Sequence, residues 1–170
     1  KLRANGSQSV WGLIDRDTRI SAPDQHVTFD PTRYTIENTV LDPLSVGLLL
    51  LLENFGPAVD ALTDMDYVSF DPTSNAQAVV DHVCSVVGPD GGAIDPVEID
   101  YVGGFSAHLP RFWLDEPGHK LAERLTAAFP ILRRYEREPE RLLNQIIDRV
   151  WASRPGLIPL GTLETLARLL

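Results

Sequence analysis

The chain has 170 residues, 44% of them apolar and 23% charged, and a formal net charge of -9. That length and composition fit one globular domain with its own core. The net charge speaks against a broad, sequence-independent grip on nucleic acid, which rests on many Lys and Arg contacts to phosphate. The lone cysteine, Cys84, excludes an internal disulfide and a cysteine-based zinc site, and makes a reducing, cytoplasmic setting the default expectation. The most apolar run, residues 46–52, is far too short to cross a bilayer, so no membrane association is expected. The charge is uneven. Residues 1–100 hold five Lys and Arg against sixteen Asp and Glu, whereas residues 101–170 hold ten against eight. A basic face therefore belongs to the C-terminal part if there is one.

In chain order, residues 1–8 read as the tail of a helix and an Asn5-Gly6 turn. Residues 10–14 are apolar or small without a polar break, which predicts a strand buried on both faces. A strand this buried is rarely the first of its sheet, and the chain opens at Lys1, so a longer polypeptide with a strand upstream is expected. Residues 26–29 form a short strand candidate, Asp30-Pro31 a turn, and residues 33–36 an extended segment. A helix is predicted from about Glu37, broken near Pro43 and resuming to Phe55, with residues 48–52 apolar all round. Residues 57–95 read as a helical insertion with helices at 58–65 and 75–87, the second carrying Ala76, Val79, Val80, Val83 and Val87 at helical spacing. A strand at 97–102 precedes Gly103-Gly104, and residues 109–114 are an apolar stretch interrupted by Arg111. Helices are predicted at 121–129, 140–151 and 162–170, the last two within a helical tail spanning 130–170. Alternation early and helices late predict an α/β sandwich in a single domain over 1–170.

Asp15 and Asp17 follow the first predicted strand. With a side-chain period of two they leave it on the same side, at the carboxyl end where ligands gather in open α/β sheets. Two carboxylates that close need a cation between them or a shared proton. Their hard oxygens suit Mg²⁺ or Mn²⁺, and the plain alternative is two solvated acids in a turn. Glu37 would emerge at the same sheet edge if residues 33–36 run parallel to residues 10–14, but an acid in the first turn of a helix is also favoured by the helix dipole. Lys120 opens a helix after Gly118, an unfavourable place for a cation unless an anion such as phosphate shares the helix end. A solvated surface lysine is the alternative, and His119 beside it reads first as a polar loop residue and second as a proton carrier. No His-x-x-x-His pair and no Walker-type phosphate loop is present. Trp11, Trp113 and Trp151 are expected in the core. Arg133, Arg134, Arg137 and Arg141 read first as a solvated face interleaved with acids, and second as a contact to a nucleic-acid backbone.

Taken together, Ile14-Asp15-Arg16-Asp17, Tyr34-Thr35-Ile36-Glu37-Asn38 and Gly118-His119-Lys120, with Val150-Trp151 and Leu157-Ile158-Pro159 behind them, resemble the Toprim domain of the OLD-type (overcoming lysogenization defect) nucleases. The likeness is closest to stand-alone or ATPase-linked forms of bacterial anti-phage defence. It implies a Toprim-like Rossmannoid sheet flanked by helices and a Mg²⁺- or Mn²⁺-dependent nuclease. It also implies DNA or RNA as substrate, an ABC-type ATPase partner in cis or in trans, and leaves a homo-oligomer open. Carried onto this sequence, Asp15, Asp17 and Glu37 would hold metal, with Glu37 and Lys120 at the reacting phosphate. The glutamate that the family carries on an earlier strand has no counterpart in residues 1–8, which places it upstream or leaves the chain inactive alone. Two other readings stay in view. A haloacid-dehalogenase-type phosphatase also places Asp-x-Asp after its first strand, but wants Thr or Val where Arg19 stands. A domain without activity would serve as an interaction or sensor module.

Overall fold

The computed structural model describes residues 12–13, 27–28, 33, 35–53, 65–88, 95–135 and 139–167. It is a mixed α/β structure, mostly helical. Two short strands, β1 (Gly12–Leu13) and β2 (Val27–Thr28), pair in parallel with Gly12 opposite Val27. They fall inside the two segments read as strands from sequence. Strands β3 (Pro96–Asp100) and β4 (Ser106–Pro110) form an antiparallel pair, Glu98 opposite His108. Among the described residues these two pairs are separate sheets.

The centre of the structure is α2 (Pro43–Leu52). Asp42 caps it by accepting from the Leu44 N–H at 3.0 Å, and Pro43 takes the first helical position, where its missing N–H is not needed. The helix has no polar face, and every residue from Pro43 to Leu50 is buried, as its all-round apolar character requires. Against it lies α3 (Pro72–Val87), capped by Asp71, with Ala76, Val79, Val80, Val83 and Val87 turned inward and Asp81 and Ser85 outward. The approach is close at Gly47, where an added Cβ would stand 2.2 Å from Val79 Cγ1, so only glycine fits there without a shift.

The other face of α3 covers β4. Ile99, Ala107 and Leu109 turn to the core while Glu98, Asp100, Ser106 and His108 face out, the period-two pattern of a half-covered sheet. The hairpin turns at Gly104 in the left-handed region, φ 77°, with Tyr101 and Phe105 stacked 4.9 Å apart. After β4 the chain enters α4 (Arg111–Asp115) and α5 (Gly118–Ala128). The stretch read as continuous from 109 to 114 is thus split, strand to Pro110 and helix from Arg111, because a proline at the strand end serves as the helix N-cap.

A 3₁₀ segment (Pro130–Tyr135) leads toward α6 (Pro139–Gln145), which continues as a π-helical stretch (Ile146–Trp151) packed on α2. Trp151 Nε1 donates to Ser45 Oγ at 2.9 Å. Arg154 donates to the carbonyls of Phe70, Tyr67 and Val68, fixing the segment ahead of α3 to the C-terminal part. The last element is α7 (Leu160–Ala167). Of the helix read at 58–65, residues 58–64 lie outside the described residues, and Met65 is not helical. No helix among the described residues is long and apolar enough to cross a membrane.

Candidate functional site

Glu37 sits in α1 (Ile36–Val40), a five-residue helix entered through a capping box. Thr35 Oγ1 accepts from the Asn38 N–H at 3.4 Å, and Asn38 Oδ1 accepts from the Thr35 N–H at 3.1 Å and from its hydroxyl at 2.5 Å. Ile36 is therefore helical and Thr35 is the extended N-cap residue. Arg33 and Thr35 are not in a strand and Ile36 is helical, so among the described residues no strand over 33–36 runs beside residues 10–14 to bring Glu37 to their sheet edge; β1 pairs with β2 instead, and the Thr35–Asn38 pair starts a helix.

Asn38 is fully buried, and its amide reaches out of α1. Nδ2 donates to the Trp113 and Glu116 carbonyls, both at 2.8 Å, at the end of α4 and just before α5. Trp113, buried as expected, returns a bond from Nε1 to the Leu41 carbonyl at 2.9 Å. These bonds bring α1 onto the start of α5. At Gly118 an added Cβ would lie 2.4 Å from Glu37 Cβ and 2.6 Å from Thr35 Oγ1, so the backbone of α5 touches Glu37 directly. His119 and Lys120 follow at once and both are exposed; His119, expected in a loop, is instead in the first turn of α5 and lines a groove described below.

Glu37 and Lys120 are thus brought to neighbouring elements although far apart in sequence. Glu37 is half-buried, and among the described residues its carboxylate has no hydrogen-bond or ion-pair partner. Asp42 and Glu53 are in ion pairs with arginine, Glu116 with Arg124 and Asp95 with Arg111; Asp100, Glu123, Asp148 and Glu164 also lack a partner among the described residues but are exposed. The first turn of α5 has no side-chain cap. An acid in the first turn of a helix, favoured by that helix's dipole, is the local account of Glu37 in α1. Asp15 and Asp17 lie outside the described residues. Among the described residues no three His, Cys, Asp or Glu side chains converge to hold a metal ion. Glu37 contributes one hard carboxylate donor, of the kind Mg²⁺ or Mn²⁺ takes.

Behind α1 stands a buried charge cluster that the sequence does not announce. Arg33 and Asp42 are both buried and joined at 2.7 Å between Nη2 and Oδ2. Arg33 Nη1 donates to the Asn38 carbonyl at 2.7 Å. Tyr101 Oη donates to Asp42 at 3.0 and 3.2 Å to the two oxygens. Burial, then the charge of Asp42, holds the Tyr101 phenol well above its usual range. The signal for Asp42 was legible as Asp-Pro at a helix start. Nothing in the local sequence marks Arg33 as buried.

On the far side of α5 a groove of about 660 Å³ opens between His119, Glu123, Thr126, Arg133, Tyr135 and Leu142. The arginine cluster is mostly engaged: Arg134 pairs with Glu53 and lies over the Tyr135 ring, and Arg133 donates to the Thr126 carbonyl at 3.3 Å. Arg141 is exposed and Arg137 lies outside the described residues. No family model, curated protein or solved structure matches this chain.

Proposed function

We propose that the chain is a divalent-metal-dependent nuclease domain of Toprim type that hydrolyses phosphodiester bonds in DNA or RNA. The observation that carries the reading is the half-buried Glu37 carboxylate, unpartnered among the described residues and seated against the helix turn that leads into Lys120. A carboxylate partly removed from water and left without a partner favours a cation beside it. The parallel pairing of β1 with β2 supports it further, because Asp15 and Asp17 stand two and four residues beyond the end of β1 in sequence.

In this reading Asp15, Asp17 and Glu37 hold Mg²⁺ or Mn²⁺. The metal, when bound, supplies a lowered pKa for an attacking water and charge stabilisation at the phosphoryl oxygens. Lys120 is exposed, a point charge on a long flexible stem, free to approach the scissile phosphate. The uncapped first turn of α5 adds N–H groups of the polarity that favours an anion. A chain of net negative charge needs such a local reversal to approach a polyanion. The substrate, an ABC-type ATPase acting in cis or in trans, and a defence role against phage belong to the same proposal.

Calorimetric titration with Mn²⁺ tests it, on wild type, Asp15→Ala and Glu37→Gln, in this chain and in one extended upstream. Millimolar or tighter binding that both substitutions weaken, with Mn²⁺-dependent cleavage of DNA or tRNA lost in Lys120→Ala, is the expected result. No binding by either length of wild-type chain sinks the nuclease reading and leaves an interaction module.

A further inference from the structure

Asn38 spends every hydrogen-bonding position of its side chain on joining two parts of the chain. Its oxygen takes both Thr35 donors, at 3.1 and 2.5 Å, and its nitrogen gives both protons to carbonyls of the segment entering α5, at 2.8 Å each. Its own backbone carbonyl is held by Arg33. The residue is inaccessible to solvent, so no water can replace these bonds. Helix α1 has only five residues and cannot hold its own orientation, since a helix that short is not stable by itself. The direction in which Glu37 leaves α1 is therefore set by what Asn38 grips.

We infer that Asn38 is a positioning residue that sets Glu37 against the first turn of α5, and that this is the reason an amide follows the acid in Thr-Ile-Glu-Asn. The inference deepens the nuclease reading and rests on it for the role of Glu37 in metal binding. Neither an acid nor an apolar side chain substitutes. Aspartate would turn an oxygen toward two carbonyl oxygens, and leucine would leave two carbonyls and the Thr35 donors unmet. Partners one step out from a metal ligand commonly change affinity or activity 10–100-fold when lost, and Asn38 acts at that distance through the backbone of α1.

The test uses Asn38→Asp, with Thr35→Val as a milder variant should the first not fold, and Val83→Ala as a control that destabilises the core on α3 without touching α1. Nuclear Overhauser effects between the Glu37 β protons and the Gly118 α protons report the placement directly. They are expected in wild type and Val83→Ala and absent or weakened in Asn38→Asp or Thr35→Val, while those between Gly47 and Val79 persist. Mn²⁺ affinity of the folded variant is expected to fall roughly tenfold, with no further loss when Asn38→Asp is added to Glu37→Gln. Retention of the Glu37–Gly118 effects in the folded variants overturns the inference. So does an affinity loss that adds fully to that of Glu37→Gln. Wild type that shows the Glu37–Gly118 effects but binds no Mn²⁺ overturns the nuclease reading instead. Weakening of those effects in the variants then still supports the positioning role.

Discussion

Truncating Asp42 is the sharpest test of how this core is held. Asp42 receives Arg33 at 2.7 Å, the Tyr101 hydroxyl at 3.0 Å and the Leu44 N–H at 3.0 Å, all out of solvent. Asp42→Ala leaves the Arg33 guanidinium buried without its counter-charge, which costs about 3–5 kcal/mol. The lost N-cap of α2 would by itself cost about 1 kcal/mol. The two share one side chain and do not simply add, so the expected loss is about 4 kcal/mol. Against a total stability of about 5–15 kcal/mol, that is enough to bring the domain close to unfolding. Arg33→Met combined with Asp42→Leu removes both charges and should recover part of the loss, leaving a deficit of about 2 kcal/mol, because the desolvation penalty disappears with the pair. Urea unfolding at pH 7, followed by fluorescence of the tryptophans and by far-UV circular dichroism, measures each difference, provided the two probes coincide. An Asp42→Ala protein within 1 kcal/mol of wild type would refute the reasoning, taking ~1 kcal/mol as the scale of an ordinary surface cap. So would a double variant less stable than Asp42→Ala alone.

Three further outcomes follow from the same geometry. Gly118→Ala forces a methyl group to 2.4 Å from Glu37 Cβ. Overpacking of about 1–3 kcal/mol should outweigh the roughly 1 kcal/mol gained in helix propensity, so thermal unfolding should show a net loss together with weaker Mn²⁺ binding. Tyr101 and Cys84 leave stability unaffected from pH 7 to about pH 9 and make it fall above that. Burial, then the charge of Asp42, raises Tyr101 above its usual 10.0, and burial, then Asp42 and Asp81, raises Cys84 above 9.0. The unfolded chain releases both protons while the folded chain keeps them, at about 1.4 kcal/mol per pH unit for each group once it ionises. Tyr101→Phe should remove one such contribution in urea titrations repeated from pH 7 to 11. The Cys84 thiol, buried and held protonated, should react with a disulfide reagent only as fast as the protein opens, and at once in denaturant. Rapid labelling of native protein would contradict its place on the buried face of α3.

Periodicity carried much of the fold. The valine stripe of α3 was legible because a 3.6-residue repeat survives wherever one helix face meets a core. Helix α2 was legible for the opposite reason, an apolar run with no polar face bounded by Asp-Pro. What failed was the boundary between extended and helical backbone around Ile36. Branched Thr35 and Ile36 read as strand, but a local Thr35–Asn38 bond decides the start of α1, and a side-chain bond of that kind leaves no periodic trace. The site was legible in part. Lys120 stood out as a residue whose local placement asked for a partner, whereas Glu37 read locally as an ordinary helix-start acid and was singled out by the family resemblance. That α1 lies against the start of α5 could not be read, because it depends on Asn38 finding two carbonyls across the fold, and carbonyls carry no sequence signature.

That dependence says why a polar cluster occupies a core that apolar residues could have filled. Hydrophobic contact is non-directional. It would press the short α1 onto its neighbours but would not fix its rotation. The bonds from Arg33 to the Asn38 carbonyl and to Asp42, and from Asn38 to Trp113 and Glu116, each hold only within a narrow range of angles. Together they tie the 33–42 segment to the entry of α5 in a single register. The buried Arg33–Asp42 pair is a weak contributor to net stability compared with an apolar pair of the same volume. Its effect is on geometry, and the geometry it fixes is the direction of Glu37. A change that keeps the core's volume but removes its polar bonds should therefore leave a folded protein in which Glu37 no longer faces α5.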